Sequence, residues 1–346
     1  MRGPPLKQLP RLAVERTHRH RPGLGLALVW LTLAWLGSGA ALAETPSIDA
    51  IAAAVVRLKT LINPEGRSVA TLGSEREGSG IVIGADGLIV TIGYLMLEAH
   101  AAEIITNDDK SVAAEVVGYD HETGFGLLKA ASPLNLAPIS LGKSSELKEN
   151  DPVLVASFGG PDMVGTAFVV AKREFAGSWE YLLEDAIFTA PPHPAWSGAA
   201  LINREGKLVG VGSLIVGDAS AGTPGNMFVP IDRLPPIMAD LLAEGRVQGP
   251  GRPWLGLTTE DSGGELRIAR VAPAGPAHKA GVQKGDVIVG VDGRRATGLA
   301  DFYRKVWGLG RAGVVVPLDV LQNNERRRLD LKSIDRMDHL RLKSTF

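Results

Sequence analysis

From residue 51 to about 231 the chain alternates short apolar runs with turn residues. The run at 80–83 is followed by Ala85-Asp86-Gly87 and then by a second run at 88–91. Asp-Gly between two such runs is a hairpin signal, because glycine takes the positive φ that a tight turn requires. The device recurs where Ile202 and Asn203 lead through Arg204-Glu205-Gly206 into residues 207–211. Many short strands at close, even spacing predict a sandwich or barrel. Two hairpin-rich halves, 51–140 and 141–231, predict two barrels. Residues 234–244 are amphipathic and stop at Gly245, which predicts a helix with a glycine terminator. Gly249-Pro250-Gly251-Arg252-Pro253 marks 246–253 as a linker. Beyond it, 254–334 mixes apolar runs at 266–271, 287–291, 314–321 and 326–332 with helical stretches near 276–280 and 299–308, a second and smaller α+β unit. The charged tail, 335–346, is expected to be mobile.

The first 43 residues stand outside this pattern. Arg11, Arg16, Arg19 and Arg21 precede an apolar stretch at 24–36, and Ala41-Leu42-Ala43 precedes Glu44. This is the layout of a signal peptide, 1–43, cleaved near Ala43. An uncleaved inner-membrane anchor is the alternative, since 24–43 is apolar throughout. Both place the rest of the chain outside the cytoplasm, and a bacterial periplasm is the expected address. The chain has 346 residues, 45% hydrophobic and 22% charged, a globular composition with room for about two domains. It has no cysteine, which excludes disulfides and thiolate metal sites. A formal net charge of -1 gives no reason to expect nucleic acid as a partner.

Several motifs, taken in order, resemble the Deg/HtrA family of trypsin-like serine proteases. Gly78-Ser79-Gly80 with the run to Ile83, then Asp86-Gly87-Leu88-Ile89-Val90-Thr91, resembles the family's GSGfii…DGyilT hairpin. Gly118-Tyr119-Asp120 and residues 123–129, Leu141-Gly142-Lys143-Ser144, Ser197-Gly198-Ala199-Ala200 and Met227-Phe228-Val229-Pro230-Ile231 follow in the family's order. Val271-Ala272-Pro273-Ala274-Gly275-Pro276-Ala277, Ala280-Gly281-Val282 and Lys284-Gly285-Asp286-Val287-Ile288 resemble its PDZ domain. The resemblance implies a mainly β protein: a chymotrypsin-like double six-stranded β-barrel at 51–245, then a PDZ domain at 254–334. It also implies a homo-oligomer, a trimer.

A serine protease needs a base to take the serine proton, a carboxylate to orient that base, and N–H donors for the oxyanion. The resemblance places the nucleophile at Ser197, the histidine position at Tyr94 and the aspartate position at Gly124. One of three roles is therefore retained. The oxyanion loop would be Ala195, Trp196 and Ser197, with alanine where the family has glycine, and Pro191, Pro192 and Pro194 stiffen its approach. His193, His100 and His121 are substitute bases to consider, His121 beside Asp120 as a ready pair, but none occupies a catalytic position of the family and each reads first as a surface-loop histidine. No His-x-x-x-His pair suggests a metal, and no cofactor is expected. In the PDZ unit, Trp254, Leu255, Gly256 and Leu257 stand where a loop receives a peptide carboxylate; Trp254 reads also as packing across the linker. The ending Lys343-Ser344-Thr345-Phe346 resembles a PDZ ligand, so self-docking is a further expectation. The reading that follows is a catalytically inactive binder of peptides, unfolded proteins or partner C-termini, as adaptor, chaperone-like factor or regulator. A weak or conditional endopeptidase using Ser197 and a purely structural subunit are its rivals.

Overall fold

The computed structural model describes residues 46–249 and 251–341. The expected signal segment and the PDZ-ligand-like ending lie outside the described residues. The first barrel closes in the order β1-β2-β3-β6-β5-β4, from β1 (Val55–Ile62), β2 (Glu75–Val82), β3 (Leu88–Ile92), β4 (Ala99–Ile105), β5 (Ser111–Tyr119) and β6 (Phe125–Ala130). The second closes as β10-β11-β12-β9-β8-β7, from β7 (Pro152–Ala156), β8 (Val164–Gly177), β9 (Tyr181–Ala190), β10 (Ala200–Ile202), β11 (Leu208–Ser220) and β12 (Thr223–Pro230). Closure leaves no free sheet edge, and inward side chains fill the interiors: Val56, Leu58, Ile89, Ile104 and Leu128 in one, Val155, Val169, Leu201 and Phe228 in the other. The Asp-Gly turn is a hairpin as expected. Gly87 sits at φ +83, and Lys129 on the neighbouring β6 pairs with Asp86.

The helix Pro235–Glu244 follows and ends on Gly245 at φ +70. The third unit is a sheet of β13 (Leu257–Ser262), β14 (Glu265–Val271), β15 (Val287–Val291), β16 (Arg294–Arg295), β17 (Val315–Gln322) and β18 (Glu325–Lys332). Helices Pro276–Lys279 and Leu299–Trp307 accompany it. β13 is the strand the sequence pattern does not announce: Thr258 to Ser262 carries polar residues on both faces.

The barrels and the third sheet pack together as one compact unit. β8 runs 14 residues and β9 runs 10, so their hairpin projects out of the second barrel, and Leu182 joins the third unit's core beside Leu255, Leu257 and Phe302. The tail, through Arg341, is anchored and not mobile. Ile334 exchanges both backbone hydrogen bonds with Trp254 (3.0 and 3.2 Å). Asp335 accepts from Arg246 at 2.8 Å, and Met337 and His339 are buried. The Arg341 N–H donates to Glu98 Oε1 at 2.7 Å. Apolar Met337 within the charged run supplies the burial that composition alone obscures. The linker is held too, with Arg252 paired to Glu122 at 3.0 Å.

Candidate functional site

The register of the first barrel builds half of the site. Pairing of Ile92 with Phe125 leaves Gly93 and Tyr94, just beyond β3, beside Gly124, just before β6. The Gly93 N–H donates to the Gly124 carbonyl at 2.7 Å. Tyr94 lies in the single 3₁₀ turn Gly93–Leu95, held by buried Arg76: its guanidinium donates to Tyr94 O at 2.6 Å and, just past the turn, to Leu97 O at 3.1 Å.

The second barrel supplies the facing half. Ser197 precedes β10, and Ser213 lies on β11. The Ser197 carbonyl accepts from Ser79 N–H at 2.8 Å, and Gly198 N–H donates to Gly212 O at 2.9 Å. Gly198 is at φ +74, and a Cβ there would stand 2.0 Å from the Ser79 carbonyl oxygen, so this turn requires glycine.

The two halves meet at Tyr94. Its hydroxyl lies 2.9 Å from Ser197 Oγ and 2.9 Å from the Ser213 carbonyl oxygen. A carbonyl only accepts, and a phenol has one proton. With that proton given to Ser213, the Ser197 hydroxyl is the donor in the second contact. Burial pushes the Tyr94 pKa up to about 12, against the pull of hydrogen bonds from the Ser197 and Trp196 side chains. The phenol therefore keeps its proton across the physiological range. Tyr94→Phe should cost about 1–2 kcal/mol by leaving the Ser213 carbonyl without its donor, read as a lower urea midpoint with unchanged slope.

Gly124 offers no carboxylate. It sits at φ +87 with Ile92 and the Tyr181 ring about it, and the Tyr181 hydroxyl donates to the Thr123 carbonyl at 2.8 Å. The Asp120–His121 pair does not form. Asp120 accepts instead from Glu122 N–H (3.3 Å), Thr123 N–H (2.8 Å) and the Thr123 hydroxyl (2.7 Å), closing its own turn. Burial, with Arg336 nearby, lowers the His121 pKa to about 4. His193 is turned away: its Nδ1 accepts from Ala195 N–H at 3.2 Å, and burial lowers its pKa. His100 is exposed on β4. That same bond engages the Ala195 N–H, the first donor expected of the oxyanion loop. Trp196 and Ser197, the remaining members of that loop, are half-buried.

A cavity of about 490 Å³ opens beside this contact, lined among others by Tyr94, Gly124, Trp179, Trp196 and Arg336. Both barrels, the β8–β9 hairpin and the C-terminal turn thus share one cleft.

In the third unit, Leu255, Gly256 and Leu257 converge their N–H groups, with Gly256 at φ +82. All three donate to the carboxylate of Glu180, at 2.8, 2.7 and 2.8 Å. Trp254 is not one of the donors; its N–H goes to Ile334, and its ring lies 4.5 Å from that of His339. Sequence reasoning missed Glu180 entirely. Its local signal is slight: a carboxylate between Trp179 and Tyr181, aromatic residues at a hairpin tip where polar ones are usual.

The chain matches the trypsin-like peptidase domain family over residues 78–211 and the PDZ domain family over residues 253–332. A Pseudomonas putida protein described as a probable periplasmic serine endoprotease, DegP-like, is 31% identical over 269 residues, 73% of this chain and 55% of that one. One of the same description from Ectopseudomonas mendocina is 30% identical over 282 residues, 77% and 57% of the two chains. The chain thus spans little more than half the length of these relatives. A solved HtrA-type protease, a serine-to-alanine form of AlgW with a tripeptide, superposes with TM-score 0.50 at 22% identity, covering 86% of this chain and 98% of that one; it shares the fold.

Proposed function

The chain is a Deg/HtrA-type protein, a trypsin-like peptidase domain followed by one PDZ domain, and from that premise we propose that it is a catalytically inactive periplasmic member that recognises polypeptide without cutting it. One observation carries the reading: the side chain hydrogen-bonded to Ser197 is a half-buried phenol, at the position where the resemblance implies imidazole. Phenol oxygen that holds its proton to about pH 12 does not take the serine proton at neutral pH. Gly124 and the engaged Ala195 N–H remove the orienting carboxylate and one oxyanion donor. In a subtilisin triad, loss of the base alone costs on the order of 10⁶ in turnover.

Recognition is supported by the cleft beside Tyr94 and by the convergent N–H groups of Leu255, Gly256 and Leu257, the device that receives peptide carboxylates. The relatives' description as periplasmic and the signal-like start support the location. A role as adaptor, holdase or regulator of an active relative follows from these features together.

Purified protein treated with a fluorophosphonate should label no more than its Ser197→Ala counterpart and should leave unfolded casein intact. Labelling and cleavage that both vanish in Ser197→Ala would overturn the reading in favour of a conditional endopeptidase.

A further inference from the structure

The carboxylate-receiving loop of the third domain carries a ligand from its own chain. Glu180 stands at the tip of the β8–β9 hairpin, with φ +59 and 7% exposure, and its side chain accepts from the three N–H groups that would hold a peptide terminus. The rest of the hairpin behaves as a peptide would. The Ser178 carbonyl accepts from Thr259 N–H at 2.8 Å, a strand-like bond to β13 at the edge of the sheet. Leu182 fills the apolar pocket between the sheet and the helix Leu299–Trp307. Tyr303, on that helix, clamps the tip: its hydroxyl donates to the Gly177 carbonyl at 2.6 Å and accepts from Glu180 N–H at 3.2 Å.

Two features mark this arrangement as exchangeable. Burial raises the Glu180 pKa to about 7 against the pull of the three N–H groups and Arg336, so the ionised form is held weakly at neutral pH. Thr259 Oγ1, buried in the same groove, has no hydrogen-bond partner among the described residues. Past the hairpin the groove continues as an open cavity of about 890 Å³, lined by Glu174, Glu260, Asp261 and Asp301 with Arg304. Glu174 pairs with Arg304 and Asp301 with Lys305, so Glu260 and Asp261 are the carboxylates this wall offers to a basic ligand.

We propose that Glu180 is an internal ligand of the Leu255–Leu257 loop, and that the groove admits, by exchange with the hairpin tip, a protein C-terminus ending in an aliphatic residue and preceded by basic ones. The free carboxylate replaces that of Glu180, the aliphatic side chain replaces Leu182, and the basic residues meet the acidic wall. This rests on the peptide-recognition reading above and adds to it the state of the site and the chemistry of its partner.

The test uses the full chain and a fluorescein-labelled ten-residue peptide ending Lys-Arg-Val-Leu, with a free carboxylate or a terminal amide, followed by fluorescence anisotropy. Glu180→Ala should bind the free-carboxylate peptide at least about 10-fold more tightly than wild type. Glu180→Gln, which keeps the shape and loses the charge, should fall between them, and the amide should bind to none. In the folded variants the amide proton resonances of Leu255, Gly256 and Leu257 should move upfield as the carboxylate is lost. Equal affinity in wild type and both variants would overturn internal loading while leaving peptide recognition standing. No binding by any of the three proteins would overturn the exchange and the recognition reading together.

Discussion

Tyr94→His should raise fluorophosphonate labelling of Ser197 by no more than about 10²-fold and still leave a poor catalyst. The ceiling comes from triad arithmetic: losing the base costs about 2 × 10⁶ in turnover and losing the orienting aspartate about 3 × 10⁴, so a base restored without its aspartate recovers roughly the ratio. The position itself is suitable. Residue 94 already contacts Ser197 Oγ, and its turn is fixed by Arg76. Imidazole has an unperturbed pKa near 6.5, and the burial that raises Tyr94 would lower it, so a histidine there is neutral and can accept a proton at neutral pH. Two deficits remain, the absent carboxylate at Gly124 and the Ala195 N–H engaged by His193. Adding Gly124→Asp should raise labelling further, since a Cβ at residue 124 meets its nearest neighbour at an ordinary 3.5 Å, although φ +87 strains any side chain placed there. Labelling of Tyr94→His no greater than wild type would mean that Ser197 does not face residue 94 in solution.

Glu98→Ala should destabilise the fold by about 3–5 kcal/mol, the scale for removing one member of a buried charge network. Glu98 is 3% exposed at φ +62, and its carboxylate accepts from Arg67 N–H (3.0 Å), Ser68 N–H (2.7 Å), the Ser68 hydroxyl (2.6 Å) and Arg341 N–H (2.7 Å). The Ser68 hydroxyl also accepts from buried Arg76 at 2.8 Å, so the charge of Arg76 is answered through a one-residue relay. Truncation would leave that guanidinium without its counter-charge and detach the C-terminal turn. A melting temperature lower by about 10 °C would match the energy; an unchanged one would refute it. Burial alone would raise the Glu98 pKa, but the hydrogen bonds from Ser68, Arg341 and Arg67 outweigh it and hold it below 4.5. A depressed folded pKa gives stability that is complete above the unfolded value and lost as pH falls through the folded one. Wild type should therefore lose this contribution below pH 4.5, and Glu98→Ala should show a flatter acid limb.

The barrels were legible because hairpin signals are local, and the places of Tyr94, Gly124 and Ser197 came from the family resemblance of the motifs around them. Asp86-Gly87 makes a hairpin wherever it falls between apolar runs, and the β3–β6 register carries residues 94 and 124 together once the strands are placed. What the sequence could not show depends on residues far apart in the chain. Asp120 beside His121 looked like a catalytic pair, yet the carboxylate found nearer donors in its own turn. β13 is polar on both faces and becomes a strand only because β14 pairs with it. The tail read as mobile because nothing local announces that Asp335 will meet Arg246 or that Arg341 will meet Glu98. Glu180 is the extreme case: its partners lie 75 to 77 positions away and are backbone groups, which carry no sequence signature.

The β8–β9 hairpin also bears on heredity. Protein modules shuffle between genes when each has a self-sufficient interior, so that either can be replaced without injury to the other. Here Leu182 belongs by connectivity to one module and by packing to its neighbour. A foreign third domain grafted after residue 249 would meet a protruding Trp179, Glu180 and Leu182 with nothing shaped to receive them. Whatever ancestry the two halves had, they can now diverge only as a pair, each substitution at the hairpin tip answerable to the loop that holds it.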